Sequence, residues 1–136
     1  MIKSYLKLMR VQSLPLTVCI IGAGFMLEKG TLMDLSFIPL AVSGSLGHLG
    51  FYTMNEIMDV EWDIEMYKTD KPLVSGEVSM KTAVEICFSL VLGSVILAVL
   101  SFPLDSFIIY LFSCLLGALY NARSKRDTLS SLYLGL

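Results

Sequence analysis

The stretch from Asn55 to Ser79 reads NEIMDVEWDIEMYKTDKPLVSGEVS and carries seven of the twelve acidic residues of the chain. Asn55, Asp59 and Asp63 are spaced four residues apart, which places them on one face of a helix. At about 100° per residue, His48 and Tyr52 fall on the same face, so five polar groups share an arc of about 80°. The pattern predicts a polar strip on an otherwise apolar helix. Polar groups on a membrane helix are expensive and face a cavity or a partner.

The composition around this stretch is that of a membrane protein. The chain has 136 residues, of which 55% are hydrophobic and 16% charged, and its mean hydropathy is +0.73. A soluble domain of this size carries more charge. Cys19, Cys87 and Cys114 are isolated in apolar segments without a C-x-x-C motif, so we expect buried free thiols rather than a disulfide or a zinc site.

Four apolar segments predict membrane helices near residues 11–28, 36–58, 83–101 and 105–121, and residues 128–136 resemble the first turns of a fifth. A basic start followed by an apolar run is also typical of a signal peptide, but further apolar segments follow it. Gly44, Gly47 and Gly50 predict close helix packing in the second segment. A lone histidine such as His48 is more often hydrogen-bonded to a neighbouring helix than a ligand, so it is left out of the catalytic set.

The basic residues predict the orientation of these segments. Lys29 alone falls on one side of the membrane, and the other nine fall on the opposite side. These nine are Lys3, Lys7, Arg10, Lys68, Lys71, Lys81, Arg123, Lys125 and Arg126. Because positive loops stay in the cytoplasm, the N-terminus and the loop after Asp63 are predicted to be cytoplasmic. The polar strip and most basic residues then meet at one surface, although each base alone could be a headgroup anchor.

This combination of groups predicts a chemistry. Oxygen donors such as Asn55, Asp59 and Asp63 suit Mg²⁺, which commonly binds one or two carboxylates together with substrate phosphate. Arginine and lysine around such a metal would bind a diphosphate. The metal would neutralise the charge that develops as the diphosphate departs. We therefore expect ionisation of a lipid diphosphate and transfer of its hydrocarbon chain to an acceptor.

The motif resembles that of a known family, the UbiA-type membrane prenyltransferases. Their first aspartate-rich motif, N-D-x-x-D-x-x-x-D, is similar to residues 55–63, and their loop signature P-x-x-S-G is similar to residues 72–76. Glu56 stands where the family usually has aspartate, which keeps the carboxylate and extends it by one methylene. Two weaker matches add to this. Arg10 with Ser13 and Pro15 resembles the family's R-x-x-S-x-P start of the first helix. Tyr120 followed by Lys125 and Arg126 resembles the family's tyrosine and basic pair after the fourth helix.

The resemblance implies an all-α membrane protein with four transmembrane helices plus the start of a fifth, half of a UbiA-type helical bundle. Residues 1–136 would be a single domain that is apparently incomplete at its C-terminus, because family members carry about nine helices and a second aspartate-rich motif. The isolated half is expected to associate with itself or with a missing half. The acceptor would be an aromatic ring or a glycerol-phosphate lipid, and the protein would lie in the cell membrane.

The candidate site residues have the following expected roles. Mg²⁺ would be held by Asn55, Asp59 and Asp63, and the catalytic residues would be Asp59, Asp63 and Lys125. The diphosphate would be bound by Arg10, Lys68, Lys71, Lys125 and Arg126. The substrate pocket would be lined by Tyr52 and Tyr120.

Three alternatives remain beside this reading. The first is a small transporter or ion-binding membrane protein, in which an intramembrane aspartate carries a cation without needing a diphosphate. The second is an inactive fragment of a prenyltransferase. A CDP-alcohol phosphotransferase is disfavoured, because its D-G-x-x-A-R…G-x-x-x-D-x-x-x-D pattern is absent from the sequence.

Overall fold

The computed structural model describes the backbone of residues 2–123 and the side chains of residues 2–122, and this part of the chain is helical. Its elements are α1 (Ile2–Leu8), a 3₁₀ turn (Val11–Ser13), α2 (Leu14–Lys29), α3 (Phe37–Met58), α4 (Val60–Glu65), α5 (Met80–Ser101) and α6 (Leu104–Arg123). The all-α class predicted from the sequence is therefore confirmed. The four long helices lie within a few residues of the predicted segments.

Three stretches are long and apolar enough to cross a membrane, namely Val11–Lys29, Met80–Ser101 and Leu104–Ala122. The helix α3 is not among them, although it has 22 residues. It lies in contact with α1, α2, α5 and α6, and its polar residues Ser43, Thr53 and Glu56 are buried. The fourth span therefore stays a prediction, and the start of a fifth helix lies outside the described residues.

Local chemistry explains where the helices begin and end. Pro15 lies in the first turn of α2, where a helix does not need its N–H. The same helix ends at Gly30, whose φ of 70° suits glycine and whose N–H donates to the Met26 oxygen at 2.9 Å. Ser79 caps α5, because its Oγ accepts a hydrogen bond from the Thr82 N–H at 3.1 Å.

The pair α3–α5 is the most extensive helix contact. Gly50 is buried there, and a Cβ at this position would come within 2.7 Å of Val91 Cγ2. Nearer the other end, Ser43 Oγ donates to the Ser94 backbone oxygen at 3.0 Å, and Ser94 Oγ donates to the Ser43 oxygen at 2.6 Å. Tyr110 of α6 contacts the same serine hydroxyl. The predicted role of the glycine row in packing is thus consistent with the structure.

The basic N-terminal segment forms the short helix α1 rather than a plain leader. Leu8 packs with Val78 and Ala83 in the only cluster of buried hydrophobic residues among residues 2–122. Ser4 Oγ donates to Glu77 Oε2 at 2.6 Å. These contacts fasten α1 to the loop of residues 66–79, which follows α4.

All three cysteines are free, as predicted. Cys87 and Cys114 are half-buried. Cys19 is exposed on α2, so the expectation that it is buried was wrong. An apolar helix can carry apolar residues on its outer face as well as on its packed face, so the sequence around Cys19 does not distinguish exposure from burial.

Candidate functional site

The candidate site lies where α3 gives way to α4. Asp59 has φ of −89° and ψ of −7°, which interrupts the helix for one residue. Its N–H donates to the Asn55 oxygen at 3.0 Å, and the Asp63 N–H donates to the Asp59 oxygen at 2.9 Å. These hydrogen bonds keep the helical path through the break, so residues at a spacing of four stay on a common face. Asn55 is half-buried, whereas Asp59 and Asp63 are buried.

The loop of residues 66–79 folds back over α4. Tyr67 has a φ of 53°, and the Lys68 N–H donates to the Asp63 oxygen at 3.0 Å, which turns the chain at the end of the helix. The Ser75 N–H donates to the Lys71 oxygen at 2.9 Å. Gly76 has a φ of 75°, which suits a residue without Cβ. The turn chemistry of Ser75-Gly76 thereby returns the loop to the start of α5 and leaves Lys68 and Lys71 beside α4.

Five charged side chains form a continuous chain of ion pairs, here called the ionic cluster: Arg10, Glu56, Lys71, Asp63 and Lys68. Arg10 Nη2 lies 2.6 Å from Glu56 Oε1, and Lys71 Nζ lies 2.9 Å from Glu56 Oε2. Lys71 Nζ also lies 2.6 Å from Asp63 Oδ2, and Lys68 Nζ lies 2.9 Å from Asp63 Oδ1. The cluster therefore joins the turn between α1 and α2, the end of α3, α4 and the loop.

The two carboxylates at the centre of the cluster are withdrawn from water. The side chain of Glu56 is 6% exposed and that of Asp63 is 1% exposed. Burial acts to lower the pKa of Lys71, but hydrogen bonds to Asp63 and Glu56 outweigh it, so the pKa of this ammonium is raised. Lys71 is therefore charged at neutral pH, as a buried carboxylate pair requires.

A second set of polar contacts connects the ionic cluster to His48. The Arg10 guanidinium lies 5.2 Å from the centre of the Tyr52 ring, and Tyr52 packs edge-on against His48 at 4.5 Å. His48 forms hydrogen bonds with Ser13 at 2.7 Å and with Thr17 at 2.9 Å. The prediction that His48 is hydrogen-bonded to a neighbouring helix is therefore confirmed.

The backbone of Arg10 is itself unusual. Its φ of 50° and ψ of 45° lie in the left-handed region, which costs a non-glycine residue about 1–2 kcal/mol. This conformation turns the chain between α1 and the 3₁₀ turn, where the Ser13 N–H donates to the Arg10 oxygen at 2.9 Å. Strained backbone of this kind concentrates at functional sites.

Two hollows adjoin the end of α3. A polar cavity of about 630 Å³ is lined by Asp59, Glu61, Trp62 and Asn121, among others. An apolar groove of about 530 Å³ runs between α3, α5 and α6. Ile57 and Met58 line both, so the groove and the cavity lined by Asp59 are neighbours.

The donor chemistry of the strip fits a hard cation, since Asn55, Asp59 and Asp63 offer oxygens only. Their arrangement is not that of a closed metal site. Among residues 2–122, no three His, Cys, Asp or Glu side chains lie together in a way that could hold a metal ion. Both oxygens of Asp63 instead contact lysines.

The structure brings together four residues that the sequence analysis assigned to the site: Arg10, Lys68, Lys71 and Asp63. Tyr52 touches Arg10, whereas Tyr120 lies 42% exposed near the end of α6. Lys125 and Arg126 lie outside the described residues. The sequence analysis missed the linking role of Glu56. Its position in the motif, next to Asn55, was the signal that could have indicated it.

The fold and this site define a helical membrane protein with a buried ionic cluster at one end of its central helix. The chain belongs to the UbiA prenyltransferase family, whose sequence model matches residues 16–136. It is 34% identical over 84 residues to a protoheme IX farnesyltransferase from Metallosphaera sedula. That match covers 61% of this chain and 30% of the relative's length. No solved structure matches the chain.

Proposed function

We propose that the protein takes part in prenyl transfer, moving an isoprenoid chain from a polyprenyl diphosphate to an aromatic or glycerol-phosphate lipid acceptor. The observation that carries this proposal is the ionic cluster, in which Arg10, Lys68 and Lys71 converge on one end of the central helix. A guanidinium has five N–H donors and each ammonium has three, more than the two carboxylates take up. The remaining donors suit the oxygens of a diphosphate.

Charge balance supports a divalent cation at this site. The cluster has three positive and two negative side chains, and the buried Asp59 adds a further carboxylate on the same helix face. A diphosphate brings several negative charges, so further positive charge is needed. We propose that Asp59 and Asp63 hold Mg²⁺ with Asn55 as a third oxygen. A metal bound there would neutralise the negative charge that develops on the departing diphosphate.

The chain's own residues bind and orient the substrate. Arg10 and Lys71 fix the diphosphate because both are anchored on Glu56. The apolar groove between α3, α5 and α6 takes the hydrocarbon chain, since its lining is apolar and it shares Ile57 and Met58 with the cavity that Asp59 lines. Lys125 and Arg126, which follow α6 in sequence, add positive charge, with Lys125 as a catalytic residue. Tyr52 and Tyr120 contribute to the substrate pocket.

The name of the Metallosphaera relative supports an isoprenoid donor, because that protein is a farnesyltransferase.

We propose four membrane spans with α3 as the second, an N-terminus in the cytoplasm and a location in the cell membrane.

The test is binding of an allylic diphosphate, farnesyl or geranylgeranyl diphosphate, to the purified protein in nanodiscs with and without Mg²⁺. Wild-type protein should bind the diphosphate only with Mg²⁺. Asp59→Asn keeps the size of the side chain and should abolish this Mg²⁺-dependent binding. Glu85→Gln, an exposed carboxylate in the first turns of α5 that lines neither hollow, is the matched control and should bind as wild type. Unchanged Mg²⁺-dependent binding by Asp59→Asn would refute the metal assignment. Mg²⁺ binding with no diphosphate binding would favour the ion-binding alternative.

A further inference from the structure

Lys71 holds a position between two carboxylates. Its Nζ lies 2.6 Å from Asp63 Oδ2 and 2.9 Å from Glu56 Oε2, and its side chain is 17% exposed. The other oxygen of Asp63 contacts Lys68 Nζ at 2.9 Å. Each oxygen of a carboxylate that we propose as a Mg²⁺ ligand is therefore in contact with an ammonium group.

An ammonium and a divalent cation disfavour each other at such a place. A cation coordinated by Asp63 would stand within a few ångströms of two ammonium groups, and like charges at that distance repel strongly where water is excluded. The carboxylate is buried, so it needs positive charge beside it in either state. The arrangement is thus suited to two alternative counter-ions for Asp63.

The side chains can exchange without rebuilding the loop. The backbone at Lys71 is fixed, because its oxygen accepts the Ser75 N–H at 2.9 Å and the following Pro72 is buried. The lysine stem has four rotatable carbons, which allow the ammonium to swing while the backbone stays in place. The side chain of Lys68 is 41% exposed, so it is not enclosed by protein.

We infer that Lys71, together with Lys68, serves as the counter-ion of Asp63 until a divalent cation enters, and that cation entry releases both lysines to the diphosphate. This inference rests on the proposed function. The exchange makes binding of the divalent cation and binding of the diphosphate cooperative. The cation repels the lysines from Asp63, and the diphosphate attracts them to its own oxygens. Glu56 keeps Arg10 at the site throughout the exchange.

The test uses Mn²⁺ as the probe, without any diphosphate. Trp62, the single tryptophan of the chain, is adjacent to Asp63 in sequence, so Mn²⁺ bound there should quench its fluorescence. Lys71→Met removes the competing charge and keeps the length of the side chain. It should bind Mn²⁺ about tenfold more tightly than wild type, since one charged hydrogen-bond partner of Asp63 is gone. Lys68→Met should act in the same direction.

Lys81→Met is the matched control, because Lys81 is 87% exposed and pairs only loosely with Glu85. Its Mn²⁺ affinity should equal that of wild type. A second measurement needs no variant: Mn²⁺ should raise the acetylation rate of Lys71 relative to Lys81 in wild-type protein, read by mass spectrometry. Unchanged or weaker Mn²⁺ binding by Lys71→Met, or an unchanged labelling ratio, would overturn the exchange.

One more variant separates this inference from the proposed function. Asp63→Asn should abolish the Mn²⁺-dependent quenching. If it does, and Lys71→Met still binds no more tightly than wild type, the exchange fails and the metal site stands. If Asp63→Asn binds Mn²⁺ as wild type does, the proposed metal site fails and the exchange fails with it.

Discussion

Arg10 donates two hydrogen bonds to one oxygen of Glu56, from Nε at 3.1 Å and from Nη2 at 2.6 Å, although 46 residues separate them in sequence. The contact fastens the turn between α1 and α2 to the end of the central helix. Because the other oxygen of Glu56 contacts Lys71, one buried carboxylate sets the positions of two cations from distant segments.

The first prediction concerns that carboxylate. Glu56→Gln leaves Arg10 and Lys71 without their shared counter-charge, so it should lower the free energy of unfolding by about 2 kcal/mol. The measurement is unfolding by SDS titration in mixed micelles. Glu61→Gln removes the same charge from an exposed position and should stay within about 0.5 kcal/mol of wild type. Equal stability of the two variants would show that the cluster contributes nothing to folding.

The second prediction compares two glycines. Gly50→Ala places a methyl group against Val91 of α5 and should destabilise the protein by about 1–3 kcal/mol. Gly24→Ala in α2 meets nothing within 4 Å, so it should be neutral or more stable by up to about 1 kcal/mol. The same SDS titration measures both. A destabilised Gly24→Ala protein would mean that α2 has a packing partner on that face.

The third prediction concerns pH. The side chain of Asp70 accepts a hydrogen bond from Lys7 and feels its charge, and both hold the pKa of this carboxyl below its usual 3.8. Because the folded pKa is lowered, the stabilisation is present above the unfolded pKa and is lost as the pH falls through the folded value. A carbon-13 NMR titration should find a midpoint below 3.8, rising toward 3.8 in Lys7→Gln. Lys81→Gln should leave the midpoint where it was, and a wild-type midpoint at or above 3.8 would contradict the contact.

The fourth prediction concerns orientation. Reporter fusions after Ser36 and after Ser101 should appear outside the cytoplasm, whereas a fusion after Gly76 should appear inside, because the basic residues of the loop are retained there. The readout is a pair of reporters that are active on opposite sides of the membrane. A cytoplasmic signal after Ser36 or after Ser101 would overturn this topology.

Much of the site was predictable because it depends on spacing. Four-residue intervals set the strip of Asn55, Asp59 and Asp63, and the distribution of lysine and arginine predicted that bases would gather beside it. The pairing of Lys68 and Lys71 with Asp63 was not predictable, because it depends on how the loop turns at Tyr67 and Gly76. A side chain finds its partner only after distant segments have folded together.

The same reason explains the errors at Glu56 and at the N-terminus. In the sequence Glu56 is one more acid in an acidic run, and its burial arises from Arg10, which lies far away in the chain. Residues 2–8 have too few turns to show a helical period, and their helix depends on Leu8 meeting Val78 and Ala83.

The exchanged hydrogen bonds between Ser43 and Ser94 fix the register of α3 against α5. Sliding one helix past the other by a turn would break both bonds at once, in surroundings where no water can replace them. The two helices therefore move as one rigid unit. Adjustment of the site to a substrate therefore comes from groups outside this pair, among them the lysine side chains of the loop of residues 66–79.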